Sequence, residues 1–145
     1  MRSAVRVLLF AAASPLLLRA VKLERLGAWL EPETPLPAGQ ADPAPLVRRI
    51  DRLLRLGWPL VRRGCLVRGM TLYRFLREAG FEVALCFGMG KPEGGSDFTG
   101  HCWIELDGRP LAEKRDPRPI YTETFRIAPG ARRQEAASAV RPETA

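Results

Sequence analysis

Three side chains in this sequence could together perform acyl transfer, and they occur in the order Cys65, His101, Glu113. Cys65 heads a helical pattern that runs to Gly80. His101, the only histidine of the protein, opens the alternating segment His101-Cys102-Trp103-Ile104-Glu105-Leu106, and Glu113 closes the segment that follows Asp107-Gly108. A thiol in the first turn of a helix faces the positive end of the helix dipole and unpaired backbone N–H groups. Both favour thiolate, the nucleophilic form. Arg62, Arg63 and Arg68 push the same way wherever they lie close. The same N–H groups can hold the oxyanion of a tetrahedral intermediate, worth roughly 3 kcal/mol per well-placed donor. An imidazole would then move the proton, and a carboxylate behind it would orient the ring.

Several elements must hold these groups in place. Phe81–Phe87 reads as an apolar strand, and a Gly-rich loop over Gly88–Gly100 leads to the histidine strand. That loop is a surface connection or a flap able to close over a bound peptide. Alternation puts Cys102, Ile104 and Leu106 on a core face and His101, Trp103 and Glu105 on the other, where the Cys65 helix is expected to pack. Asp107-Gly108 is a two-residue hairpin signal, so Arg109–Glu113 should return antiparallel. Simple pairing sets Leu106 opposite Arg109 and Cys102 opposite Glu113. His101 and Glu113 are then offset by one residue and on opposite faces, so the reading requires a bulge in the return strand.

The remainder of the 145 residues bounds the answer. The length suits one domain with one core, and an apolar fraction of 46% is that of a globular chain. The net charge of +7 is compatible with an anionic membrane surface or an acidic peptide partner; with no nucleic-acid-binding motif in the chain, no nucleic acid is expected as a partner. Three cysteines without framework spacing indicate a reducing, cytoplasmic setting. Residues 1–30 form an amphipathic helical segment. Its first apolar run is interrupted by Ser14-Pro15 and Arg19 and is too short for a membrane span, but with Arg19, Lys22 and Arg25 the segment is suited to peripheral membrane contact. Residues 31–45, with five prolines, read as a linker. Ala44–Leu56 is a helix with Pro45 in its first turn, Gly57 as its stop and an arginine-rich solvated face. The core is placed at 46–127 and a disordered tail at 128–145. Cys86 and Cys102 are expected in the core. They lack ligand spacing with His101, so neither a metal nor a cofactor is expected.

The run Cys-Leu-x-Arg-x-x-x-Leu-Tyr-x-x-Leu-x-x-x-Gly-Phe from Cys65, followed by His-x-Trp-x-Glu-x-Asp-Gly-Arg from His101, resembles the B2 proteins of lasso-peptide biosynthesis. These are small bacterial transglutaminase-like cysteine peptidases. The resemblance is close from Trp58 to about Tyr121, and it implies an α+β, papain- or transglutaminase-like fold. In that fold N-terminal helices and a cysteine-bearing helix pack on a small antiparallel sheet. It also implies removal of the leader from a ribosomally made precursor peptide, with a separate leader-recognition protein (B1 type) and a separate lasso cyclase as partners. Carried over by position, the nucleophile is Cys65 and the base is His101. The acid, usually an aspartate twelve residues after the histidine, is Glu113 here, with Asp116 and Asp107 as fallbacks. The family's usual His-Ala-Trp is His-Cys-Trp, a small-for-small exchange expected to be without consequence. A non-catalytic peptide- or protein-binding module on the same fold is the alternative, with Glu113 marking a lost triad.

Overall fold

The computed structural model describes residues 2–37, 42–61, 64–91, 95 and 97–130. Four helices come first: α1 (Arg2–Ala20), α2 (Leu23–Leu30), α3 (Ala44–Leu56) and α4 (Cys65–Glu78). The strands β1 (Val83–Gly90), β2 (Thr99–Leu106), β3 (Arg109–Leu111) and β4 (Tyr121–Ile127) follow. They pair antiparallel in the order β3-β2-β1-β4. This is the expected α+β arrangement, with the cysteine-bearing helix against a small antiparallel sheet.

Helix α4 is the central element. It starts from the extended Gly64 and stops before Gly80, whose φ of +88° suits glycine alone at low cost. Met70, Leu72, Tyr73 and Leu76 are fully buried, because α1, α2 and α3 cover one side of the helix and the sheet covers the other. Gly69 makes the helix–sheet approach possible: a Cβ there would lie 2.9 Å from Leu85 Cδ1 and 3.1 Å from Cys102 Sγ. Helix α3 has Pro45 in its first turn and turns Val47, Ile50 and Leu54 inward, as its periodicity requires.

Glu31 ties the N-terminal half to α4. Its Oε1 accepts from Arg77 Nε at 2.9 Å and Nη2 at 2.6 Å, and its Oε2 accepts from the Tyr73 hydroxyl at 2.7 Å. Both members of this ion pair are almost fully buried. The Ala128 carbonyl oxygen lies 3.0 Å from the same Tyr73 hydroxyl, and the Gly130 N–H donates to Glu31, so the strand β4 exit joins the same knot.

Several expectations need correction. Helix α1 runs through Pro15 without a break, with the Ser14 hydroxyl donating to the Phe10 carbonyl. Its Ser3–Ala20 stretch is therefore long and apolar enough to cross a membrane by length and composition. The same helix places Val7 and Ala11 in the domain core, stacks Phe10 edge-on to Phe75, and pairs Arg6 with Glu78. The loop expected over Gly88–Gly100 is shorter, since Gly88–Gly90 belong to β1 and Thr99–Gly100 to β2. Helix α4 packs on the Cys102, Ile104 and Leu85 face of the sheet, not on the His101 face. Trp103, Ala84 and Cys86 form a second cluster on the opposite face, under Tyr121. The apolar residues of both faces are buried, so alternation alone could not say which face the helix takes. The tail lies outside the described residues from 131 onward, as do Arg62 and Arg63.

Candidate active site

The hairpin after β2 determines how His101 and Cys65 meet from different sides. Asp107 and Gly108 have φ of +51° and +72°, the two-residue turn that matches strand twist. Leu106 pairs with Arg109 and Ile104 with Leu111, as simple pairing predicts. There β3 ends, because Ala112 turns left-handed at φ +58°. Backbone groups of alternate residues point to the same strand edge, so Cys102 presents its N–H where β3 would have continued. Glu113 never takes that pairing place. The strand ends at the left-handed residue and Glu113 lies beside His101, so the expected bulge in the return strand is replaced by a strand break.

Cys65 stands half-buried at the N-terminus of α4. The cleft over it holds about 610 Å³ and is lined by His101, Cys102, Glu113, Asp116 and Tyr121 among others. The His101 ring is held between Trp103, at 6.2 Å between centroids, and Tyr121, at 5.1 Å. Gly88 pairs with His101 across the strands, and a Cβ there would press within 3.0 Å of both the Trp103 ring and Tyr121, so its bare backbone admits this stack. Nε2 of His101 lies 3.3 Å from Glu113 Oε2, which leaves Nδ1 as the nitrogen for the thiol. The other carboxylate oxygen, Oε1, accepts from Arg68 Nη1 at 3.1 Å. Arg68 also forks onto Asp51 of α3, at 2.8 and 3.2 Å, and donates to the Ala112 carbonyl at 3.2 Å.

The electrostatics favour a thiolate at Cys65. Its pKa falls to about 5, chiefly through a hydrogen bond from the Cys102 thiol. Burial opposes the shift, while the Cys102 backbone and the His101 imidazole add to it. The causes thus differ from the nearby arginines anticipated above, since Arg68 is committed to Asp51 and Glu113. The Cys102 thiol is pushed well up, first by its bond to Cys65 and then by burial, and the Cys86 thiol is pushed up by burial. Neither competes as a thiolate near neutral pH.

The fallback acids are placed differently. Asp116 lines the far wall of the cleft, but its carboxylate accepts from the Arg118 side chain and backbone N–H. Asp107 occupies the hairpin turn. Cys102 is buried as expected, and its thiol bears on Cys65 as an alanine methyl would not. On the other face, Cys86, Glu105 and Glu123 bring three potential ligand atoms within 4.8 Å of one another. Arg126 already pairs with both carboxylates there, and Trp103 Nε1 donates to Glu105.

Asp51 and Cys102 are site residues that sequence reasoning missed, and Arg68, expected to act on Cys65, holds Glu113 instead. Arg68 had a signal: three residues after Cys65, it lies on the same helical face one turn on. Asp51 had a fainter one, as the single acid among four arginines of α3. No curated protein and no solved structure gives a match to this chain. Residues 5–126 match the family description "Transglutaminase-like superfamily", which spans all four helices and nearly the whole sheet. With a helix-borne cysteine and a strand-borne histidine meeting in one cleft, this chain belongs to the transglutaminase-like superfamily.

Proposed function

We propose that the chain is a cysteine peptidase that removes the leader from a ribosomally made lasso-peptide precursor. The observation that carries the chemistry is the convergence of the Cys65 thiolate, the His101 imidazole and the Glu113 carboxylate in one cleft. The motifs around Cys65 and His101 support the leader-processing class, and the superfamily is one in which such cysteines commonly act as peptidases or acyl transferases.

In this reading the Cys65 sulfur attacks the carbonyl at the leader–core junction. The first-turn N–H groups of α4, which have no intrahelical acceptors, face the developing oxyanion. His101, protonated and held by Glu113, gives its proton to the leaving amine, so the core peptide departs with a free N-terminus. The leader remains as a thioester on Cys65. Water attacks it with His101 as base, and the leader is released as a carboxylic acid.

A second cavity of about 300 Å³ adjoins the cleft through their shared residues Asp51 and Arg68. Leu54, Val61 and Val67 line it, which suits an apolar side chain of the peptide next to the scissile bond. The leader-recognition protein and the cyclase are the partners this reading entails. The experiment is cleavage of a leader–core precursor by the purified chain, with and without a B1-type partner, followed by mass spectrometry. Cleavage at the junction, lost in Cys65→Ala, supports the reading. Failure to cleave with the partner present, under conditions where Cys65 is alkylated rapidly, overturns it.

A further inference from the structure

The reactive thiol has a second thiol against it. Cys102 is only 4% exposed, and it lines the same cleft as Cys65. Its Sγ lies against the first turns of α4, within 3.1 Å of where a Gly69 Cβ would be. Gly69 follows Cys65 by four residues and so shares its helical face. The two side chains are close enough that each thiol alters the other's ionisation. Cys86 is on the opposite face of the sheet, beneath Trp103, and is remote from this pair. Access is unequal as well: Cys65 opens to the cleft, whereas Cys102 and Cys86 are buried.

We propose that Cys65 and Cys102 form an oxidative modification site. A hydroperoxide converts Cys65 to a sulfenic acid, and Cys102 resolves it to an intramolecular disulfide that keeps the nucleophile recoverable. In the first step the Cys65 sulfur attacks the distal peroxide oxygen and the O–O bond breaks. The sulfur loses two electrons, the peroxide gains them, and the alkoxide leaves and is protonated to the alcohol. In the second step the Cys102 sulfur attacks the Cys65 sulfur and the S–O bond breaks. Hydroxide leaves with the Cys102 proton, as water, and His101 is placed to carry that proton. The sum is two thiols and one hydroperoxide giving one disulfide, one alcohol and one water. An external dithiol reverses it by exchange.

The local electrostatics set the order of events. The Cys102 thiol is held protonated foremost by its bond to the Cys65 thiolate, whose charge adds to the burial. A sulfenic acid carries no such charge, so the first oxidation removes the largest of the restraints on Cys102, with burial remaining. This inference needs only a reactive Cys65 and is independent of the peptide substrate.

The test treats the full-length chain with hydrogen peroxide at pH 6 and maps its cysteines by mass spectrometry. The expected product is a monomer lacking two hydrogens, with Cys65 linked to Cys102, whose iodoacetamide reactivity returns after dithiothreitol. Cys102→Ala, treated until its Cys65 no longer reacts with iodoacetamide, should instead take up two or three oxygens at Cys65, and its recovered thiol should be at least ~10-fold lower than wild type, since sulfinic and sulfonic acids resist thiols. Cys86→Ala should behave as wild type. The proposal is overturned if the wild type shows no Cys65–Cys102 link, if the link joins Cys86 or a second chain, or if Cys102→Ala recovers as well as wild type. The wild-type map decides the matter even if a variant fails to fold.

Discussion

Arg68 holds the carboxylate that faces His101: its Nη1 lies 3.1 Å from Glu113 Oε1 while Glu113 Oε2 lies 3.3 Å from His101 Nε2. One helix thus carries both the nucleophile and the clamp on the acid, three residues apart. Arg68→Met should leave Glu113 and the left-handed Ala112 turn without their anchor. The expected result is a loss in kcat on the order of tenfold, or about 1.4 kcal/mol, with little change in KM. Arg68→Lys should recover part of the charge but not the fork. Steady-state cleavage kinetics check both.

The reactivity of Cys65 should follow its depressed pKa. Because the folded-state value is lowered to about 5, thiolate is present above that pH and is lost as the pH falls through it. Iodoacetamide alkylation at Cys65 should therefore be half-maximal near pH 5, with Cys86 and Cys102 unreactive at pH 6. Cys102→Ala removes the largest favourable contact, so its profile should move to higher pH. An unmoved profile would mean that the Cys102 thiol does not stabilise the thiolate.

Glu113 supplies one oxygen to each neighbour, and both separations depend on its length. Glu113→Gln should lower kcat by removing the charge that favours an imidazolium, with binding little altered. Glu113→Asp pulls the carboxylate back by about one carbon–carbon bond, ~1.5 Å, from a contact already at 3.3 Å. Activity should fall in that variant too, though less than with glutamine. Asp116→Asn should be nearly silent, because that carboxylate is engaged with Arg118 at the surface. A silent Glu113→Gln with a damaging Asp116→Asn would reassign the acid.

Ala112 is a non-glycine residue in the left-handed region, and the break in β3 depends on it. Ala112→Gly should hold or raise stability, by up to ~1 kcal/mol, because glycine adopts this conformation without the Cβ clash. Ala112→Val should cost roughly 1–2 kcal/mol and should reduce activity beyond the unfolded fraction, as Glu113 loses its aim. Thermal melts alongside activity measurements separate the two effects.

Much of this arrangement was legible because local rules decide it. Pro45 and Gly57 bound α3, Asp107-Gly108 specifies the hairpin turn, and a thiol following Gly64 at the head of an apolar period marks the start of α4. What was not legible depends on contacts distant in sequence. Both faces of β2 bury large apolar groups, so alternation did not reveal which one α4 covers. Pro15 suggested a break, yet α1 continues because Val7 and Ala11 pack into the shared core on the turns before it. Strand β4 escaped notice because its segment Tyr121–Ile127 is mostly polar, and only pairing with β1 orders it. Cys102 was read as a bland core residue, since nothing in sequence says that a thiol one strand away will touch Cys65.

The Glu31 knot also fixes how far the chain can be shortened. A truncated version beginning at Ala44 would retain α3, α4 and every strand, yet it would strand Arg77 in the interior. That guanidinium side chain is 1% exposed, and its other carboxylate, Glu82, is 62% exposed and faces water. Removing one partner of so deeply buried a pair costs about 3–5 kcal/mol, a large share of the stability of a domain this size. Loss of α1 and α2 would also empty the core positions of Val7, Ala11, Leu26 and Leu30, so the N-terminal helices belong to the folding unit. The folding unit thus extends well outside the segment where the chemistry resides, held there by a buried charge as well as by apolar packing.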